Sequence, residues 1–160
     1  MAKTALQFRH NGRDVAVFVD AGENLLAALR EGVGDVSPKF GCGQGGCGAC
    51  TVLIDGEAYL SCLTLAETVA GRSVETADGL KTGPELHPLQ AAFMGHFAAQ
   101  CGYCTPGMLM AAKALMDHNS APTRQEVVDA ISGNICRCTG YEPIINAILS
   151  VAASGDVKRA

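Results

Sequence analysis

Cysteines are the residues of this sequence best suited to chemistry. The chain has 160 residues and eight of them are cysteine. They fall into two groups of four: Cys42, Cys47, Cys50 and Cys62 form the first group, and Cys101, Cys104, Cys136 and Cys138 form the second group. The N-terminal residues include no apolar stretch of signal-peptide length, so we expect a cytoplasmic protein whose thiols stay reduced. Cysteine-rich usage there indicates metal binding or redox chemistry rather than disulfides.

The spacing of the first group matches an iron–sulfur ligand pattern. Four residues separate Cys42 from Cys47, and two separate Cys47 from Cys50. Cys62 follows after eleven further residues. A C-x4-C-x2-C run with a distant fourth cysteine is the plant-type [2Fe–2S] spacing. We therefore predict that these four thiolates hold one [2Fe–2S] cluster.

Glycines surround the first three cysteines of this group: Gly41, Gly43, Gly45, Gly46 and Gly48. Glycine accepts positive φ and lets the backbone approach closely, so amide N–H groups can point at a cluster. We expect a cofactor-binding role for four of them: Gly43, Gly45, Gly46 and Gly48. Hydrogen bonds of this kind favour the reduced cluster and tune its potential.

Three other interpretations of this loop are disfavoured by its context. Gly41-x-Gly43-x-x-Gly46 matches the dinucleotide-binding fingerprint, but that fingerprint requires a βαβ unit, and a β-hairpin is predicted after it here. Structural zinc prefers paired C-x₂₋₄-C knuckles, and this group has a single one. Unligated buried thiols normally lie among apolar neighbours rather than in a glycine-rich loop.

Spacing alone does not decide what the second group binds. Cys101-Gly102-Tyr103-Cys104 and Cys136-Arg137-Cys138 each fall between two predicted helices. The four thiolates could therefore meet near helix N-termini, where the positive end of the dipole favours thiolate. The pattern suits either an iron–sulfur cluster or a zinc ion. A redox-active C-x-x-C pair is a third alternative, although such pairs normally accompany a βαβ pattern.

The first half of the chain is predicted to be β-structure with one helix. Strands are predicted at 4–9, 14–19, 51–54, 57–60 and 73–76. Asn11-Gly12 and Asp55-Gly56 are strong hairpin signals, because both turn positions need positive φ. Apolar residues at helical spacing from Leu25 predict a helix that Gly32 and Gly34 end.

The second half is predicted to contain four helices. The first begins near Pro88 and turns Phe97 towards the core. Thr105 begins the second, Thr123-x-x-Glu126 is a capping box for the third, and an apolar stripe at 144–149 marks the fourth. The two glycines and two prolines in Gly79–Pro88 predict a linker between two small domains.

Three motifs occur together in one order: G-C-G-Q-G-G-C-G-A-C-T-V (41–52), Q-C-G-Y-C-T-P-G-M (100–108) and G-N-I-C-R-C-T-G-Y (133–141). Together they resemble the small iron–sulfur subunit of the molybdenum hydroxylases, the xanthine dehydrogenase/aldehyde oxidoreductase family. The resemblance runs from about Thr4 to about Ala153 and includes all eight cysteines. It implies an α+β fold with an N-terminal plant-ferredoxin-like β-grasp domain (1–78) and a C-terminal four-helix domain (79–160). Each domain would hold one [2Fe–2S] cluster.

This resemblance also implies an electron-transfer role within a larger oxidoreductase. In the family, the helical-domain cluster lies next to the molybdopterin of a large subunit. The other cluster lies towards the next acceptor, which is FAD on a medium subunit or a cytochrome. Gln100 and Cys138 match pterin-contacting positions: Gln100 would hydrogen-bond the pterin, and Cys138 would ligate iron and approach the pterin amino group. The large subunit would hydroxylate an N-heteroaromatic or aldehyde substrate with oxygen from water.

Composition excludes other classes of function. Twelve Lys and Arg against sixteen Asp and Glu give a net charge of −4, so we expect no nucleic-acid partner. No apolar run approaches the roughly 18 residues of a membrane span, so we expect no direct membrane insertion. A free-standing ferredoxin carrier and a zinc-binding interaction module stay as alternatives. The carrier is disfavoured because it needs only the first group of cysteines.

Overall fold

Residues 3–154 are described by a computed structural model, which shows a mixed β-sheet followed by helices. The strands are β1 (Thr4–His10), β2 (Arg13–Val19), β3 (Thr51–Ile54), β4 (Glu57–Leu60) and β5 (Ser73–Glu75). They form one sheet in the order β2-β1-β5-β3-β4. The β1–β5 pair is parallel and the other neighbours are antiparallel. The chain is therefore α+β, as expected.

Both predicted hairpins are confirmed. Asn11 and Gly12 join β1 to β2 with φ of 48° and 79°, and Asp55 and Gly56 join β3 to β4 with φ of 51° and 88°. Two successive positive φ values give the turn the same twist as the paired strands. The second hairpin matters for function because it leads from Cys50 to Cys62.

The helix of the first half differs from the prediction. It begins at α1 (Leu25–Ala27), continues as a π-helical turn over Ala28–Val33, and ends at Gly34 with φ of 86°. Gly32 does not end it. A Cβ on Gly32 would lie 3.2 Å from Cβ of Val17, so glycine there lets the turn pack closely on β2.

Up to residue 154, four helices form the second half: α2 (Pro88–Gly95), α3 (Thr105–His118), α4 (Arg124–Ile131) and α5 (Glu142–Ser154). The capping box is confirmed, since Thr123 N–H donates to Glu126 Oε2 at 2.7 Å and Glu126 N–H donates to Thr123 Oγ1 at 3.3 Å. The prediction for Phe97 is wrong. α2 ends at Gly95, Phe97 has φ of 55°, and its side chain is 81% exposed.

The sheet and the helices share apolar packing. Leu53 on β3 is fully buried and belongs to the core of the helical half, which includes Met108 and Ile144. Leu80 lies in the same core, so the start of the predicted Gly79–Pro88 linker is packed rather than loose. α3 therefore lies against β3, and the two groups of cysteines approach each other across this contact. No helix within residues 3–154 is long and apolar enough to span a membrane.

Candidate metal centres

The β3–β4 hairpin brings two cysteines of the first group together. Cys50 directly precedes β3, and Cys62 follows β4 after Ser61. Thr51 pairs with Leu60 in the ladder. Ser61 then continues the contact, because its N–H and its Oγ both donate to the Cys50 carbonyl, at 3.3 and 2.7 Å. Cys50 and Cys62, twelve positions apart in sequence, are thus fixed side by side.

Thiols of the first group lie in two pairs. Cys42 contacts Cys47, and Cys50 contacts Cys62. Cys50 and Cys62 are buried, whereas Cys42 and Cys47 are half-buried. Burial and the neighbouring Cys62 raise the pKa of Cys50 to about 11. Binding there must therefore supply a positive charge that stabilises the thiolate, as iron does.

The glycine-rich loop directs backbone amides at Cys42. Gln44 N–H lies 3.5 Å from Cys42 Sγ, and this bond, with those from the Cys47 thiol and from the amides of Gly46 and Cys47, lowers the pKa of Cys42 to about 7. Such an arrangement stabilises thiolate, which is the form that binds iron. Gly45 has φ of 77°, at which any side chain is strained, and a Cβ there would lie 2.5 Å from Leu63 Cδ1, so Leu63 would also have to move.

Thiols of the second group are also paired. They lie in the α2–α3 and α4–α5 connections, where Cys104 contacts Cys136 and Cys138 contacts Cys101. Cys136 is buried, whereas Cys101 and Cys138 are exposed. Burial, with Cys136 and Cys101 close by, raises the pKa of Cys104 to about 12.

Paired thiols fit a binuclear cluster better than a single zinc ion. A structural zinc needs four ligands around one point. A [2Fe–2S] cluster needs four thiolates spread over two irons. Both groups of cysteines therefore fit a [2Fe–2S] cluster as its protein ligands.

The link between the two groups was not predicted from the sequence. Ile135 N–H donates to the Cys47 carbonyl at 2.9 Å, and Asn134 Nδ2 donates to the Gly48 carbonyl at 2.9 Å. Asn134 is 4% exposed. Its position in the motif G-N-I-C-R-C is the signal that could have drawn attention to it. Gly107 completes the contact, because a Cβ there would lie only 2.2 Å from the Gly48 carbonyl oxygen.

One cavity of about 250 Å³ lies between the two groups of cysteines. Its lining includes six of the eight cysteines: Cys42, Cys47, Cys101, Cys104, Cys136 and Cys138. Tyr103 and Ile135 also line it. The Tyr103 hydroxyl donates to the Phe40 carbonyl, so the loop of the second group is tied to the start of the first loop as well.

Gln100 lies on the surface beside the second group. Its side chain is exposed and it directly precedes the exposed Cys101, which contacts Cys138. Nothing in the chain alone tests a pterin contact at Gln100 or Cys138, so both assignments stay predictions. The roles of Gly43, Gly45, Gly46 and Gly48 towards a bound cluster stay predictions too.

A buried polar network was also missed by the sequence reasoning. His10 Nε2 lies 2.9 Å from Asp35 Oδ2, and both residues are 9% exposed. Thr76 Oγ1 donates to Asp35 Oδ2 at 2.5 Å, and Ser37 N–H donates to Asp35 Oδ1 at 2.8 Å. Burial alone would raise the pKa of Asp35, but these hydrogen bonds outweigh it and hold that pKa well below its usual value. The network joins β1, the loop after the π turn, and the end of β5.

Two family models match this chain, one in each half. Residues 8–77 match a 2Fe-2S iron-sulfur cluster binding domain, and residues 76–149 match a [2Fe-2S] binding domain. Each model contains one complete group of four cysteines. The iron–sulfur alternative is thereby supported for the second group, for which spacing alone left zinc and dithiol chemistry open.

Relatives with known names are similar over most of the chain. The nicotine 6-hydroxylase small subunit of Paenarthrobacter nicotinovorans is 52% identical, over 87% of this chain and 84% of that protein. The aldehyde oxidoreductase of Megalodesulfovibrio gigas is 43% identical over 89% of this chain, which spans 16% of that longer protein. In the crystal structure of quinoline 2-oxidoreductase from Pseudomonas putida 86, one chain matches with a TM-score of 0.92 and 47% identity, covering 96% of each chain.

Proposed function

Since this chain belongs to the iron–sulfur subunits of the molybdenum hydroxylases, we propose that it relays single electrons from a molybdopterin site on a large partner subunit to the next acceptor. Its relatives are subunits of oxidoreductase complexes, which supports an electron-transfer role. The second group would receive the electron and the first group would pass it on. The acceptor in this proposal is FAD on a medium subunit, or a cytochrome.

The hydrogen-bonded contact between the two groups of cysteines carries this proposal. The Cys47 carbonyl accepts from Ile135 N–H at 2.9 Å, and Ile135 is bonded directly to Cys136. A ligand of one site is thus connected to a ligand of the other through one hydrogen bond and a few covalent bonds. When bound, each [2Fe–2S] cluster accepts and releases one electron. A diffusing carrier with one cluster would have no use for this contact.

Some cysteines of the two sites are buried, and others are exposed. Cys50, Cys62 and Cys136 are buried and keep water away from one side of each site. The pair Cys101 and Cys138 is exposed, which leaves the second site open to a partner. Phe97 and Met94, 81% and 67% exposed, precede this pair in sequence and would be covered by the same partner.

The finer features of the fold belong to the same proposal. We infer that 1–78 form a plant-ferredoxin-like β-grasp domain and that 79–160 form a four-helix domain. The sheet order β2-β1-β5-β3-β4 with one crossing helix supports the first, and α2 to α5 support the second. The substrate, bound by the large subunit, would be an N-heteroaromatic ring or an aldehyde. A reducing compartment such as the cytoplasm would keep the eight thiols available for iron.

Metal analysis of the anaerobically purified native protein tests the proposal. We expect about four iron and four acid-labile sulfide per chain, because two clusters are bound. We also expect a large molybdopterin subunit to co-purify. About two iron and one zinc per chain would make the second site structural and would overturn the relay. A stable cluster-loaded monomer without any partner would favour the free carrier instead.

A further inference from the structure

The connection between α4 and α5 closes a ring of hydrogen bonds around one ligand of the second group. Cys136 N–H donates to the Tyr141 hydroxyl at 2.9 Å. Tyr141 N–H donates to Thr139 Oγ1 at 3.1 Å. Thr139 Oγ1 in turn lies 3.1 Å from Cys136 Sγ. Three residues of the segment C-R-C-T-G-Y thus contact one another in a closed cycle.

The direction of the last hydrogen bond follows from proton counting. A threonine hydroxyl has one proton to donate and two lone pairs to accept with. Tyr141 N–H occupies one lone pair of Thr139 Oγ1, so the hydroxyl proton stays free for another acceptor. A cysteine that ligates iron is a thiolate and has no proton. The Thr139 hydroxyl must therefore donate to Cys136 Sγ whenever the cysteine is a ligand.

The backbone is strained in a way that maintains this arrangement. Gly140 and Tyr141 both have left-handed conformations, with φ of 67° and 69°. For a non-glycine residue such as Tyr141 this conformation is costly. The Tyr141 carbonyl is held by Ile145 N–H in the first turn of α5, at 3.0 Å. A simple helix entry would need Thr139 only as an acceptor, so the contact with the sulfur is an additional feature.

We propose that Thr139 sets the reduction potential of the cluster held by the second group, and that Tyr141 positions Thr139. This inference rests on the proposed function. Reduction adds one negative charge, part of which lies on the sulfur ligands. A hydroxyl that donates to a ligand sulfur stabilises this charge and favours the reduced form. Thr139 therefore makes the second group easier to reduce, which suits a site that receives an electron from the partner.

Redox titration of the intact complex, followed by the EPR signals of the two reduced clusters, tests the proposal. Thr139→Val keeps the side-chain shape but removes the donor. We expect the reduction equilibrium of one cluster to become about tenfold less favourable, which corresponds to about 59 mV for a one-electron couple. The potential of the other cluster should stay unchanged. Thr139→Ser is the matched control and should keep the wild-type potential.

The positioning role of Tyr141 has its own readout. Tyr141→Phe removes the hydroxyl that accepts from Cys136 N–H, so the segment that holds Thr139 beside Cys136 Sγ loses one of its three contacts. We expect a shift of the same cluster in the same direction, smaller than that of Thr139→Val. Unchanged potentials in Thr139→Val, with both EPR signals present, would overturn this inference and leave the relay intact. A wild-type complex with a single iron–sulfur signal would instead overturn the proposed function.

Discussion

Replacing Gly107 by alanine is the most direct test of the contact between the two halves. Gly107 lies in the first turn of α3, where alanine normally stabilises a helix by about 1 kcal/mol relative to glycine. Here the new Cβ would lie 2.2 Å from the Gly48 carbonyl oxygen. Contacts of a Cβ below 3.0 Å are essentially never seen. The loop or the helix must therefore move by about 0.8 Å.

The expected cost follows from what this movement disturbs. Overpacking of a well-packed site costs about 1–3 kcal/mol. The Gly48 carbonyl also accepts from Asn134 Nδ2 at 2.9 Å and from Thr51 Oγ1 at 2.6 Å, and each weakened bond adds about 1 kcal/mol. After subtraction of the gain in helix propensity, we expect Gly107→Ala to destabilise the chain by about 2–4 kcal/mol. For a chain of this size the melting temperature should fall by roughly 4–16 °C.

Thermal unfolding and iron content, measured on the same preparation, are the assay. Because Gly48 lies between two ligands of the first group, we expect the variant to lose iron from that group first. Gly95→Ala is the matched control: Gly95 is also helical, and a Cβ there would have no neighbour within 4 Å. It should be neutral or slightly stabilising. If both variants melted alike and kept full iron, the close approach of α3 to the loop would be refuted.

Three further predictions concern polar contacts. Asp35→Asn should cost about 2 kcal/mol, because the hydrogen bonds that hold the pKa of Asp35 low favour its ionised form. A carboxylate whose folded pKa is depressed stabilises the fold above its unfolded pKa near 3.8 and loses this contribution as the pH falls through its folded pKa. The difference in melting temperature from wild type should therefore shrink below pH 3.8; a difference that stayed the same there would contradict the assignment. Asp117→Ala should cost about 3 kcal/mol in thermal unfolding, because it leaves Lys113, 4% exposed and 2.6 Å from Asp117, as an unpaired buried cation. Arg124→Ala removes an ion pair with Glu142 in which both side chains are about half exposed, so its melting temperature should fall by less than that of Asp117→Ala. A larger loss than in Asp117→Ala would reverse this ranking.

Local signals made much of the fold predictable. Asn11-Gly12, Asp55-Gly56 and the Thr123 capping box each act within four residues, and all three form as expected. The π-helical turn at Ala28–Val33 was missed because packing of Gly32 on Val17 decides its shape. The residues next to Gly32 in sequence do not indicate that contact.

The candidate site also has features that the sequence predicts and features that it does not. Cysteine spacing predicted ligands for the first group, because its cysteines lie close together in sequence. For the second group the family resemblance was needed, since its two halves are joined only by helix packing. Asn134 and Asp35 were missed because their partners lie far away: Gly48 is 86 positions from Asn134, and Thr76 is 41 from Asp35. Such contacts exist only after folding.

The distance in sequence between Asn134 and Gly48 also sets an order of events during synthesis. The loop that holds the first group is complete only when Asn134 covers the Gly48 carbonyl, and 86 positions separate the two residues. At about 5–20 residues per second, a ribosome needs roughly 4–17 seconds to make that length of chain. During this interval the first group of cysteines is already made, but Asn134 is not yet available to bond the Gly48 carbonyl. Iron delivered in this interval would meet a loop that still lacks the hydrogen bond from Asn134 to the Gly48 carbonyl.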